Sequence, residues 1–220
     1  MYRHQWANGN EVDLPTGKVV CVGRNYIAHA QELNNPIPSV PLIFIKPTTA
    51  YQAFEGEVVL DAALGTHHFE AEIALLVGRK LDKHCASPLE GIVGVGLALD
   101  LTLRDEQDKL KKLGHPWERA KAYDGSCPIT AFSPVTAVEQ LQNNKMQFWL
   151  NNELKQVGHS QMMIFAYEKL LLEICRFCTL LPGDVILTGT PKGVGKLTNN
   201  ASLRLQLNDE KPFTAHVSIQ

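Results

Sequence analysis

The chain has 220 residues, of which 45% are hydrophobic and 20% charged, and its formal net charge is -2. That balance supports a sizeable buried core and excludes disorder as the organising state. Lysines and arginines are scattered rather than blocked, and no apolar run is long enough to span a bilayer, so nucleic-acid and membrane binding are both excluded as expectations.

Met1 to Asn10 lacks the apolar stretch of a secretory leader. The five cysteines, Cys21, Cys85, Cys127, Cys175 and Cys178, are odd in number and irregular in spacing. Free thiols in a reducing compartment follow, and a cytoplasmic location is the expectation.

In chain order, Lys18 to Val22 reads as a strand and Tyr26 to Leu33 as a short helix stopped at Asn34-Asn35-Pro36. Leu42 to Ile45, Glu57 to Leu60, His68 to Val77 and Ile92 to Leu103 are further strands by their apolar runs. Arg104 to Leu113 is charged on most faces and predicts an exposed helix ended by Gly114. Met146 to Val157 predicts a hairpin turning at Asn151-Asn152. Phe165 to Thr179 carries Leu170, Leu171, Ile174 and Phe177 at helical spacing, and Pro182-Gly183 forbids continuation. Asp184 to Leu187 is a strand entering the loop Thr188 to Gly195, and Ser202 to Leu207 with Phe213 to Ile219 form a last hairpin. No repeat or linker appears, so residues 1–220 read as one β-rich α+β domain rather than a doubly wound sheet.

The most informative residues are acids in apolar company. On a strand, Glu70 and Glu72 share a face with Cα atoms roughly 6.6 Å apart. Asp100 is the one interruption of the apolar run Gly94 to Thr102. Carboxylates crowded near a low-dielectric sheet repel unless a cation joins them. Three carboxylate oxygens suit Mg²⁺ or Mn²⁺, and no Cys or His accompanies them at zinc spacing. The competing explanation is a solvated face for the glutamates and an ion pair from Asp100 to Arg104 or Lys121.

His29 and Glu32, three residues apart on the short helix, lie on one side of it. A carboxylate holding one ring N–H fixes the tautomer and leaves the other nitrogen basic, although an ordinary surface pair has the same spacing. Arg24 and Lys46 add positive charge suited to an anionic substrate, or to an ordinary surface.

Three sharper-looking signals fail on inspection. Gly189 to Lys196 is not a P-loop, because its spacing is wrong by one and Leu197 replaces the metal-binding hydroxyl. It remains a glycine-rich loop able to bring N–H groups to an anion. Cys175 and Cys178 sit at the end rather than the start of an apolar helix, where packing explains them. His67-His68 lacks a third ligand, and a capping or supporting role fits better. Tyr123, Trp117 and Phe132 are assigned to packing.

The ordered series Val22-Gly23-Arg24-Asn25-Tyr26, Ile45-Lys46-Pro47, His68 to Glu72, Leu99 to Asp105, Ala120-Lys121 and Leu187 to Gly195 resembles the fumarylacetoacetate hydrolase family, in its short acylpyruvase branch. The likeness covers nearly the whole chain. It implies a mixed β-roll with a few peripheral helices, a homodimer, and Mg²⁺ or Mn²⁺ on Glu70, Glu72 and Asp100. It further implies a catalytic dyad at His29 and Glu32, an active-site lysine at Lys121, and substrate contacts at Arg24, Gln107 and Thr190. Cys127 to Ala131 departs from the Pro-Leu-Gly-Pro run of many relatives. The expected reaction is hydrolysis of a 2,4-diketo acid, an acylpyruvate such as acetylpyruvate or fumarylpyruvate, to pyruvate and a carboxylic acid. Oxaloacetate tautomerisation or decarboxylation, or isomerisation of a 2-hydroxyhepta-2,4-diene-1,7-dioate type, is the alternative on the same scaffold. A non-catalytic carboxylate-binding protein is the alternative of another class.

Overall fold

The structure is a computed structural model that describes residues 2–33 and 36–220. The helix stop at Asn34-Asn35 lies outside the described residues.

Eight strands build the principal sheet. Leu42–Lys46, Val19–Gly23, Val185–Leu187, Ala71–Val77, Ile92–Leu99, Cys127–Ile129 and Tyr51–Ala53 are neighbours in that order, with Ser133–Pro134 pairing beside Ile92–Leu99. Val19–Gly23 runs parallel to Val185–Leu187, and the central pair Ala71–Val77 and Ile92–Leu99 is antiparallel. A second sheet holds Glu153–His159, Lys145–Leu150, Ser202–Leu207, Phe213–Ile219 and Gly56–Leu60. A third, small sheet joins Gly195–Lys196, His67–Phe69 and Thr102–Leu103. The result is a strand-rich α+β fold with a curled half-barrel sheet and few helices, as the sequence pattern predicts.

Side-chain alternation explains why the central strands read as unbroken apolar runs. Ile73, Leu75, Val77, Leu97 and Leu99 face the core shared with Met146, Phe148, Leu205 and Leu207 of the second sheet. Ala74, Leu76 and Ala98 face the opposite core with Val19, Cys21, Leu187 and Phe132. Both faces are covered, so period two carries no polar signal. The hairpin at Asn151-Asn152 forms as predicted, both residues having positive φ (51° and 65°). Tyr167–Phe177 is the long helix, and it buries Leu170, Leu171 and Ile174. No helix among the described residues is long and apolar enough to cross a membrane.

The main departure from the sequence pattern concerns the acids. His68 to Val77 and Ile92 to Leu103 each read as one continuous strand, but in the structure the first breaks at Glu70 and the second after Leu99, at Asp100. On one side of the breaks Ala71 pairs with Leu99 and Glu72 with Ala98, in the principal sheet. On the other side His68 pairs with Thr102 and His67 with Leu103, in the small sheet. The two segments therefore cross between sheets together, joined by the Asp100 N–H donating to the Glu70 carbonyl at 2.8 Å. At the crossing Glu70 leaves the regular pleat, so strand rise does not govern the separation of its carboxylate from that of Glu72.

Candidate active site

Glu70, Glu72 and Asp100 are buried, with carboxylate oxygens all within 4.8 Å of one another. Glu72 comes from the second ladder position of the principal sheet, Glu70 and Asp100 from the crossing. The solvated face that competed as an explanation for the glutamates is not what the structure has.

Protein cations already surround this cluster. Lys121 Nζ donates to Asp100 Oδ2 at 2.5 Å and to Glu70 Oε2 at 2.9 Å, and Arg104 Nη2 donates to Glu70 Oε1. Lys46 Nζ lies 2.8 Å from Asp100 Oδ1. The crowded acids thus meet cations from the protein itself, and the ion pair from Asp100 to Lys121, offered by the sequence as the competing explanation, is present. Lys46 also departs from its expected substrate contact. Its side chain is fully buried behind Asp100, donating to Ser126 Oγ at 3.1 Å and to the carbonyls of Ser126 and Lys121, because an ammonium sealed from water needs every proton matched.

The compensation is uneven, and the unevenness tests whether a metal fits. Among the described residues Glu72 touches no cation; its partner is the Gly189 N–H, at 2.7 Å. Burial pushes the Glu72 carboxyl well up, and the charges of Asp100 and Glu70 push it further. Burial acts on Glu70 in the same sense, but Lys121 and Arg104 outweigh it and hold that carboxyl below its usual range. Lys121, which burial alone would lower, is raised by Asp100 and Glu70 and stays charged. Asp100 Oδ1 is buried and accepts no directed hydrogen bond among the described residues. An undercompensated carboxylate, an oxygen with unused lone pairs and a third hard oxygen within reach form a donor set that can hold a metal ion.

Glu70 and Glu72 floor a narrow cleft, with Asp100 buried behind them. Arg24, His29, Gln107, Thr190 and Lys121, all expected from the sequence, line it, together with Arg104, Lys111, Phe44 and Trp117, which were not. Trp117 was assigned to packing; it does meet Phe44 edge-on, but it also faces the cleft. Arg24 takes φ 60°, a left-handed conformation unusual for a side chain of its size, directly after the strand Val19–Gly23.

His29 is buried on the helix Ile27–Glu32, its Nδ1 3.4 Å from Glu32 Oε2. Burial lowers its basicity, and Glu70 and Glu32 restore part of it, so the ring is neutral near pH 7. Glu32 has a second task, accepting the Gly193 N–H at 2.9 Å, which ties the helix to the glycine loop. That loop needs its glycines. Gly189 and Gly193 both sit at φ 99°, where an added Cβ would lie 2.6 Å from the Asn25 Cβ and 2.1 Å from the Lys155 carbonyl respectively.

Two further residues escaped sequence reasoning. Asn25 is fully buried and donates to the carbonyls of Phe165 and Thr188 while accepting the Phe165 N–H at 2.7 Å, so it fixes the approach to the His29 helix. Gln156 accepts the Ala71 N–H at 2.9 Å and donates to Thr190 Oγ1 at 2.8 Å, and Thr190 in turn donates to the Ala71 carbonyl. Its buried position opposite apolar neighbours on an alternating strand was the available signal. His67, bonded to Tyr123 Oη and the Asp61 carbonyl, has the supporting role expected of it.

A β-roll carrying a buried carboxylate triad beside a histidine defines the class. Residues 18–217 match the family described as fumarylacetoacetate (FAA) hydrolase C-terminal, and the chain belongs to the fumarylacetoacetate hydrolase family, whose members are enzymes. An oxaloacetate tautomerase of Escherichia coli (strain K12) is 42% identical over 205 residues, covering 92% of this chain and 94% of that one. The mitochondrial oxaloacetate tautomerase of Bos taurus is 39% identical, with 84% and 85% covered. The crystal structure of fumarylpyruvate hydrolase from Pseudomonas aeruginosa in complex with Mn²⁺ and pyruvate superposes with a TM-score of 0.90 at 28% identity, covering 100% of this chain and 96% of that one.

Proposed function

We propose that this enzyme interconverts the keto and enol forms of a short 2-oxo dicarboxylate, oxaloacetate, with Mg²⁺ or Mn²⁺ held by Glu70, Glu72 and Asp100. The observation that carries the reading is a buried imidazole, His29, lining the same cleft as Glu70 and Glu72 of the carboxylate triad. The tautomerase names of relatives about 40% identical over most of the chain favour this reaction over the acylpyruvate hydrolysis expected from the sequence.

Tautomerisation moves one proton from C3 to the C2 oxygen. With Glu32 holding the Nδ1 proton, His29 Nε2 has a free lone pair and takes the C3 proton. The electron pair left behind becomes the C2–C3 double bond, the C2 oxygen gains the negative charge, and a proton returned to that oxygen completes the enol. A divalent cation in the triad would supply Lewis-acid stabilisation of that oxygen and the neighbouring carboxylate. Lys121 and Arg104 hold Glu70 ionised, Lys121 also binds Asp100, and both add positive potential to the cleft floor. Gly189 positions Glu72, and the Thr190 hydroxyl is fixed by Gln156 and Ala71 at the cleft wall.

Hydrolysis of an acylpyruvate is the second reading, supported by the likeness to the fumarylpyruvate hydrolase, and there His29 would deprotonate water instead. Proton NMR of oxaloacetate and of acetylpyruvate, each with Mg²⁺ and with chelator, separates the two. Accelerated keto–enol exchange of oxaloacetate without pyruvate formation supports tautomerisation. Cleavage of acetylpyruvate with no effect on oxaloacetate exchange overturns it.

A further inference from the structure

The helix Arg104–Leu113 turns one face to the cleft. Arg104, Gln107 and Lys111, spaced i, i+3 and i+7, all line it, and Arg104 and Lys111 also line the adjoining recess beside Glu32 and His68. Three positions at this spacing share a helix face and climb about 10 Å along its axis. The lower end of the stripe is committed to the floor of the site, since Arg104 binds both Glu70 and Gln107 Oε1. The upper end is not. Among the described residues Lys111 pairs only with Asp108, at 3.4 Å, half-exposed on the same helix and lining the same recess. Helical side chains lean toward the N-terminus, and Lys111 lines both the cleft and the recess while its ammonium sits one turn back, at Asp108.

We infer that Lys111 is a specificity-determining residue that recognises the second carboxylate of a 2-oxo dicarboxylate whose 2-oxo acid end lies on the Glu70, Glu72 and Asp100 floor. This rests on the proposed function and deepens it by stating how a dicarboxylate is told from a monocarboxylate. The remaining walls leave few other partners for a second negative charge, because Phe44 and Trp117 are apolar and Lys121 is occupied by Glu70 and Asp100. A lysine with a weak, exposed partner exchanges that partner for a ligand carboxylate at little cost. Arg24 lines the same cleft, and on this assignment it serves the 2-oxo acid end.

The test is equilibrium binding to the Mg²⁺-loaded full chain, using pyruvate and ketomalonate, which share a 2-oxo acid head but differ in the second carboxylate. Ketomalonate has no C–H to lose, so turnover does not intrude. Lys111→Met should weaken ketomalonate about tenfold and leave pyruvate within about twofold, and Lys111→Arg should keep the dicarboxylate preference. Equal loss for both ligands, or no loss for either, overturns the inference and reduces Lys111 to a helix-surface partner of Asp108. If wild-type protein shows the Lys111-dependent preference but does not accelerate oxaloacetate enolisation, the proposed reaction fails while the recognition role stands.

Discussion

The backbone N–H of Asp100 donates to the carbonyl of Glu70 at 2.8 Å, at the point where both chains leave one sheet for another. The two acids are thereby fixed relative to each other by main chain, before any side-chain contact or ion contributes. Mutations at the floor should therefore change charge and affinity more than shape.

Glu72 and Lys121 should respond in opposite directions. Glu72 is the acid without a cationic contact, so Glu72→Gln should leave the metal-free protein as stable as before, or slightly more so, while Mn²⁺ affinity drops about a hundredfold. Lys121→Met should cost the metal-free protein about 3 kcal/mol, because Glu70 and Asp100 lose the ammonium between them. Added Mn²⁺ should recover much of that loss. Thermal unfolding with and without Mn²⁺, beside calorimetric Mn²⁺ titration, reads both effects.

His29→Ala should reduce kcat by two to four orders of magnitude with Mn²⁺ affinity intact, roughly what a general base contributes. Glu32→Gln should be milder in rate, since it leaves a weaker acceptor for the ring. It should also speed hydrogen exchange at the Gly193 amide, which Glu32 now holds. An unchanged Gly193 exchange rate would separate the helix from the loop and remove this coupling.

Gly193→Ala should act on the same coupling from the other side. The φ of 99° and the Lys155 carbonyl at 2.1 Å from an added Cβ force the loop to move. Activity should fall while metal affinity, which depends on Gly189 and the acids, changes by less than about threefold by the separation of the two sites. Equal losses in both would show that the loop moves as one rigid piece.

Stability should also fall on the acid side for a reason remote from the cleft. His4 is fully buried against Tyr2, Tyr51 and Phe132, with Nε2 donating to the Gly183 carbonyl and Nδ1 without a partner among the described residues. Burial lowers its basicity below the ordinary 6.5, and the Gly183 bond offsets only part of this. Protons therefore favour the unfolded chain. The His4 contribution is fully present above about pH 6.5 and is lost as pH falls from there through the lower folded value. His29 and His68 are shifted in the same direction, so the check is the difference between wild type and His4→Phe. The variant should show a shallower loss of denaturation midpoint between about pH 6.5 and 5.

Much of this molecule was legible in its sequence where the signal is local. The Asn151-Asn152 hairpin and the Tyr167–Phe177 helix follow from turn chemistry and 3.6-residue spacing. The three acids were legible because a charge in an apolar run demands a partner. The nature of that partner was not, since Lys46 reaches Asp100 from a strand more than fifty residues earlier. The strand breaks at Glu70 and Asp100 were hidden as well, because changing sheets leaves no mark on hydrophobic period when both sheets are buried. Tyr51–Ala53 and Cys127–Ile129, three residues each and paired in parallel, are too short for any pattern to register. The cleft-facing stripe from Arg104 to Lys111 was masked by the charge on every side of its helix.

The paired crossing at Glu70 and Asp100 separates two jobs that many enzymes entangle. On the proposed reading, grip on an ion is written into strand pairing, whereas the choice of molecule is written onto a helix face and a loop beside it. A lineage built this way can exchange substrates by altering a few projecting side chains, without disturbing the foundation that makes them reactive.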